Sequence, residues 1–151
     1  MNKMSKNYKI SYPFDSKLIL RKKNSIRREL LLNDNLVEKK IFIANGSTTK
    51  EIVNILEIFL LSSGIKPIFF EGEYCRYYEE LTFKNNDLEK FKPDIIYIHT
   101  SRQNLLNLPT FDDSSEEVSA KIDAEFLRLK KIWDNAKENY KCTIIQNNFD
   151  L

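Results

Sequence analysis

Four apolar runs in this chain each break into polar residues: Asn45-Gly46-Ser47 after KKIFIA, Glu71-Gly72-Glu73-Tyr74 after IFF, His99-Thr100-Ser101 after DIIYI, and Gln146-Asn147-Asn148 after CTII. If the runs are parallel strands, these breaks gather on one rim, where open α/β sheets bind ligands. A serine, a histidine, carboxylates and amides on one edge are the parts of acyl transfer: nucleophile, base, orienting acid and oxyanion donors. His99 is the one histidine of the chain, so any Ser-His dyad made within it uses Ser47 and His99. The competing reading is a strand-end histidine bonding to loop backbone. Asn147 and Asn148 could give donors to an oxyanion or phosphate, or simply bend the chain. Glu71 and Glu73 alternate about Gly72, which suits paired acid/base work or plain solvated carboxylates. Cys75 precedes Arg76, a cation that lowers a thiol pKa, but has no neighbouring histidine. With no P-loop, no G-x-G-x-x-G and no metal-ligand spacing, no cofactor and no metal are expected in this chain.

The elements that must position these groups follow from periodicity. Residues 1–13 read as a polar arm ending at Pro13, and 14–151 as one α/β domain. From Asp15 to about Asn33 the pattern is helical, with Leu18, Ile26, Leu30 and Leu31 as the apolar stripe. The first strand covers about 39–44. Gly46 allows a tight turn, and Thr48 with Glu51 forms the T-x-x-E pair of a capping box. A helix over Thr49–Ser63, apolar on most sides, closes at Gly64. IFFEGEY is the second strand, 76–92 a short helix plus loop, and DIIYIHTS a buried central strand. Ser114 and Glu117 open a long helix with Val118, Ile122, Phe126, Leu129, Trp133 and Ala136 at helical spacing. CTIIQNNFD is the fourth strand. Strands alternating with helices predict a three-layer α/β/α sandwich around a parallel sheet, flavodoxin-like, with order 2-1-3-4. The last strand meets the end of the sequence, so the expectation is a domain truncated after strand 4, the N-terminal portion of something longer.

The chain has 151 residues, one domain's worth, with net charge +2. That balance argues against nucleic acid, and the most apolar stretch, 52–61, is too short for a membrane span. Cys75 and Cys142 read as free thiols of a cytoplasmic protein. Lys17, Arg21, Lys22, Lys23, Arg27 and Arg28 form a basic cluster, either a solvated helix face or a dock for an acidic protein.

The runs KKIFIANGSTTKEIVNILEIFLLSSGIKPIFFEGEY, FKPDIIYIHTS and IIQNNFD, with Ser25-Ile26-Arg27-Arg28-Glu29-Leu30 ahead of them, resemble the N-terminal region of FkbH-like proteins of the HAD superfamily, subfamily IIIC. The resemblance covers about Tyr12 to Asp150. It implies an SGNH-hydrolase-like α/β domain followed, in the full-length protein, by a HAD domain whose Asp-x-Asp motif binds magnesium. It also implies glyceryl or acyl transfer to an acyl carrier protein as the pathway. By this resemblance Ser47 falls at the nucleophile block, Gly46 beside it and Gly72 at the second, oxyanion-donating block. Asn104, or else Asn147 and Asn148, stands for the third-block asparagine. Asn45-Gly46-Ser47 replaces the usual Gly-Asp-Ser, and neither the Asp-x-x-His block nor the HAD motif occurs in these residues. The resemblance therefore implies a binding or scaffolding piece. The alternative is a serine esterase or acyltransferase using Ser47 and His99.

Overall fold

A computed structural model describes residue 10 and residues 12–149. Residues 1–9 and 11, most of the expected N-terminal arm, lie outside the described residues, as do 150 and 151. The elements run α1 (Ser16–Leu30), β1 (Val37–Asn45), α2 (Lys50–Ser62), β2 (Ile65–Glu71), α3 (Tyr77–Thr82), α4 (Asn86–Phe91), β3 (Ile95–His99), a 3-10 turn (Arg102–Asn104), α5 (Ser115–Tyr140) and β4 (Thr143–Gln146). The strands form a four-stranded parallel sheet in the order β2-β1-β3-β4, flanked by helices. This is the α/β class and strand order that the alternation of apolar strands and helices predicts.

The chain divides into two compact units, residues 1–39 with 49–68, and residues 40–48 with 69–151. In the first, Asp15 caps α1 by accepting a hydrogen bond from the Leu18 amide at 2.9 Å. The buried stripe of α1 is Ile19 and Ile26, with Leu30 packed beside them. Leu18 is only half-buried, a correction to the expected stripe that follows from the i, i+7, i+11 spacing of Ile19, Ile26 and Leu30. Ile58, Ile55 and Phe59 of α2 complete this core. Lys23–Glu51 at 2.7 Å and Arg27–Glu57 at 2.6 Å tie the two helices together. The expected Thr48–Glu51 capping box is not formed: the helix starts one residue later, after Thr49, whose side chain makes no cap hydrogen bond, and Glu51 turns to Lys23. Gly64 ends α2 at φ +82°, a conformation that glycine adopts without strain.

In the second unit β3 pairs in parallel with β1 (Ala44 with Ile98, Asn45 with His99) and with β4 (Ile96 with Ile144, Ile98 with Gln146). Strand alternation turns Phe42, Ala44, Ile96 and Ile98 to one face, where they pack with Tyr77, Leu81, Leu88, Leu129, Ile132 and Ala136. Each large side chain buried there contributes about 1.5–3 kcal/mol. Asn45, Tyr97 and His99 belong to the opposite face. The expected capping box of α5 is present: the Ser114 hydroxyl accepts from the Glu117 amide, and the Glu117 carboxylate accepts from the Ser114 amide. The segment 76–92 holds two short helices where one helix plus loop was expected. Asn85 separates them by capping α4, its side chain accepting from the amides of Asp87 and Leu88. Among the described residues, no helix is long and apolar enough to cross a membrane.

Candidate functional site

The turn after β1 is held from three sides. Asn45 is buried, and its side-chain amide donates to the Gly72 carbonyl at 2.7 Å. The Gly46 amide donates to the His99 carbonyl at 2.7 Å. The Gly46 carbonyl accepts from the Asn104 side chain at 2.8 Å and from the Cys75 thiol at 3.3 Å. A Cβ on Gly46 would lie 2.7 Å from the His99 carbonyl oxygen and 2.9 Å from Asn104 Oδ1, so this approach of strand, turn and side chain needs glycine. Ser47 follows, half-buried. Among the described residues no hydrogen bond reaches its hydroxyl.

Asn104 closes the 3-10 turn. Its Oδ1 accepts from the Ser101 amide at 2.8 Å while its Nδ2 holds Gly46, so one side chain spans two loops. Its carbonyl is fixed in turn by Arg128 of α5, whose Nη2 donates at 2.8 Å. Arg128 also pairs with Glu125, donates to the Tyr77 hydroxyl at 3.1 Å and lies over the Tyr78 ring. The second Glu125 oxygen accepts from the amides of Leu106 and Asn107. Burial pushes the Glu125 carboxyl up, but the Arg128 hydrogen bond and charge, with the two amides, bring it below its ordinary value. Cys75, Tyr77, Tyr78, Gln103, Asn104, Leu106 and Arg128 border a groove of about 530 Å³ beside this turn.

The β2 end is equally committed. The Gly72 amide donates to the Ile43 carbonyl at 2.9 Å, a bond of the sheet ladder. The Glu73 amide donates to Glu80 Oε1 at 3.0 Å, and the Glu80 carboxylate lies directly over Gly72, its Oε2 buried with no hydrogen-bond partner. Burial drives the Glu80 carboxyl above its ordinary value. Arg76 pairs with Glu73 at 2.7 Å.

The structure thus gathers Gly46, Gly72 and Asn104 around one turn, with Ser47 next in the chain. Asn147 clamps the residue after β3, accepting from the Thr100 amide at 2.8 Å and donating to the Thr100 carbonyl at 2.7 Å, and Asn148 accepts from the Phe149 amide. Ser47 and His99 sit on neighbouring strand ends without a hydrogen bond between them. The His99 Nδ1 is instead 3.3 Å from the Tyr97 hydroxyl. Of the basic cluster, Lys23 and Arg27 are neutralised by glutamates. The residues that sequence reasoning missed are Glu80, Glu125 and Arg128. The i, i+3 spacing of Glu125 and Arg128 was a usable signal, hidden among 24 lysines and arginines. Among the described residues no cluster of His, Cys, Asp and Glu is arranged to hold a metal.

No protein-family model matches the chain, and no curated protein matches it in sequence. Its fold is similar to the crystal structure of the N-terminal part of protein BF1531 from Bacteroides fragilis, described as containing a phosphatase domain and complexed with Mg. The TM-score is 0.65 at 15% identity, over 85% of this chain and 33% of that one. The chain therefore spans about a third of the length of the protein it resembles, and the likeness is one of fold.

Proposed function

We propose that this chain is an FkbH-like, SGNH-type α/β module of the HAD superfamily that acts as a binding or scaffolding piece in glyceryl or acyl transfer to an acyl carrier protein, in the cytoplasm. The fold likeness to the N-terminal part of a phosphatase-domain protein supports the module reading, and magnesium chemistry would belong to a HAD domain outside these residues. Free thiols at Cys75 and Cys142 suit a reducing compartment.

The observation that carries the non-hydrolytic part is the occupancy of the rim donors. An oxyanion hole needs N–H groups aimed at empty space where charge develops. Here the Gly72 amide serves the ladder, the Glu73 amide serves the Glu80 carboxylate, and Asn104 Nδ2 serves the Gly46 carbonyl. A carboxylate over Gly72 would also repel an oxyanion forming there.

The second reading, a serine esterase or acyltransferase, draws on the Gly46 amide to His99 carbonyl bond, which brings Ser47 and the one histidine to adjacent strand ends. p-Nitrophenyl acetate separates the two. The module reading expects the wild type to be no faster than buffer. A burst abolished in both Ser47→Ala and His99→Ala would overturn it in favour of the esterase.

A further inference from the structure

We propose that Asn45-Gly46 is a one-way covalent modification site: the fold holds this pair shut, local opening of the turn lets Asn45 deamidate, and the product does not reclose. It is the one Asn-Gly pair of the chain. Glycine leaves its own nitrogen unshielded, so the preceding asparagine side chain can approach it closely. The Gly46 nitrogen gives its proton to solvent base and forms a bond to Asn45 Cγ. The Cγ–Nδ2 bond breaks, and the amide leaves as ammonia with a proton from water. Water then opens the ring at either carbonyl, giving aspartate or isoaspartate. Nothing is oxidised or reduced; an NH2 group is exchanged for OH.

In the closed turn both reacting nitrogens are engaged. The Gly46 amide donates to the His99 carbonyl at 2.7 Å, and Asn45 Nδ2 donates to the Gly72 carbonyl at 2.7 Å. Asn45 is 7% exposed and is held in register with His99. Asn104 braces the turn further by donating to the Gly46 carbonyl at 2.8 Å. All these groups lie within one compact unit, residues 40–48 with 69–151. Reaction therefore runs from an opened turn, at a rate that tracks its population. Reclosure then fails for a chemical reason. An aspartate oxygen in the place of Nδ2 meets the Gly72 carbonyl acceptor to acceptor, in a buried position. Isoaspartate instead adds a methylene to the main chain where β1 pairs with His99.

Peptide mapping by mass spectrometry, on the 151-residue chain held at neutral pH over a urea series, tests the proposal. The peptide containing Asn45 is expected to deamidate slowly in buffer and fast in denaturing urea. Below the unfolding transition its rate should rise with a shallower slope than global unfolding, because the turn opens locally. Asn104→Ala should raise the rate in buffer about fivefold, the worth of one hydrogen bond, while Gln103→Ala, at an exposed neighbour, should leave it unchanged. Asn45→Asp, the direct product, should unfold at lower urea than wild type at neutral pH and recover in acid, where a protonated carboxyl can again donate to Gly72. Equal rates in buffer and denaturant, a slope equal to that of global unfolding, or an Asn45→Asp variant as stable as wild type at neutral pH would overturn the proposal.

Discussion

Gly46→Ala tests the tightest approach in the site. The new methyl would sit 2.7 Å from the His99 carbonyl oxygen, 2.9 Å from Asn104 Oδ1 and 3.0 Å from Thr100 Cγ2. The first of these is backbone in a paired strand and cannot rotate away, so the turn itself must shift. Overpacking of this kind costs about 1–3 kcal/mol. The shift also strains the hydrogen bonds from Gly46 to His99 and from Asn104 to Gly46, worth about 1 kcal/mol for one lost. Alanine returns about 0.4–1 kcal/mol by restricting the unfolded chain. The net loss is about 1.5–3 kcal/mol, or roughly 4–10 °C in Tm for a domain of this size.

Urea unfolding followed by far-ultraviolet circular dichroism and by the fluorescence of Trp133, the chain's one tryptophan, measures this directly. Gly72→Ala is the informative control. Its methyl would come even closer to a neighbour, 2.2 Å, but that neighbour is the Glu80 carboxylate, the movable end of a side chain. Gly72→Ala should therefore cost less than Gly46→Ala. A Gly46→Ala midpoint equal to wild type, or the reverse ranking of the two variants, would refute the reasoning that a fixed backbone contact outweighs a shorter flexible one.

Glu80→Gln should stabilise the fold near neutral pH. Burial raises the Glu80 pKa, so its favourable contribution is complete below the ordinary value of 4.5 and is lost as pH rises through the folded value; the gain of the glutamine variant in denaturation midpoints should vanish in acid. Arg128→Ala and Glu125→Ala should each cost about 2–4 kcal/mol by leaving a largely buried partner unpaired, and a double-mutant cycle should show the pair losing less than the sum. Because Glu125 is held below its ordinary 4.5, that pair's contribution is complete above this value and is lost as pH falls through the folded one. If the basic face of α1 receives an acidic carrier protein, charge reversal at the exposed Lys17, Arg21 and Arg28 should slow association at low salt, while Lys23 and Arg27, already paired with glutamates, should matter less in stopped-flow rates.

The fold was legible where the period was unambiguous. The apolar runs ending at Asn45 and His99, and the Ser114–Glu117 cap before a long amphipathic helix, led to the observed order of strands and to α5. Local chemistry misled where tertiary partners outbid it. Glu51 had a capping role in sequence, but Lys23 of α1 takes its carboxylate, and no local pattern could reveal that. Likewise the Asn85 cap, which splits 76–92 into two helices, was visible in principle as an asparagine before Asn86-Asp87-Leu88.

For the site, the sequence marks the polar breaks at the strand ends but not the state of their donors. Whether a rim amide is open to a ligand or already bonded depends on groups far away in the chain. Gly72 could be placed by its spacing, yet its amide belongs to Ile43 and the space above it to Glu80, eight residues on. Asn104 is one of three asparagines that the sequence offers; its side chain bonds to Gly46 and Ser101, while Asn147 spends its side chain on Thr100, and neither partner is written in the local sequence. An amide serving two loops fixes the geometry of the turn before Ser47, and that fixing is the same act that removes it as a free donor. The rim is thus built to hold its own shape first, so a ligand that binds there must meet a preformed surface of carbonyls, Glu80 and the tyrosine-lined groove beside Arg128.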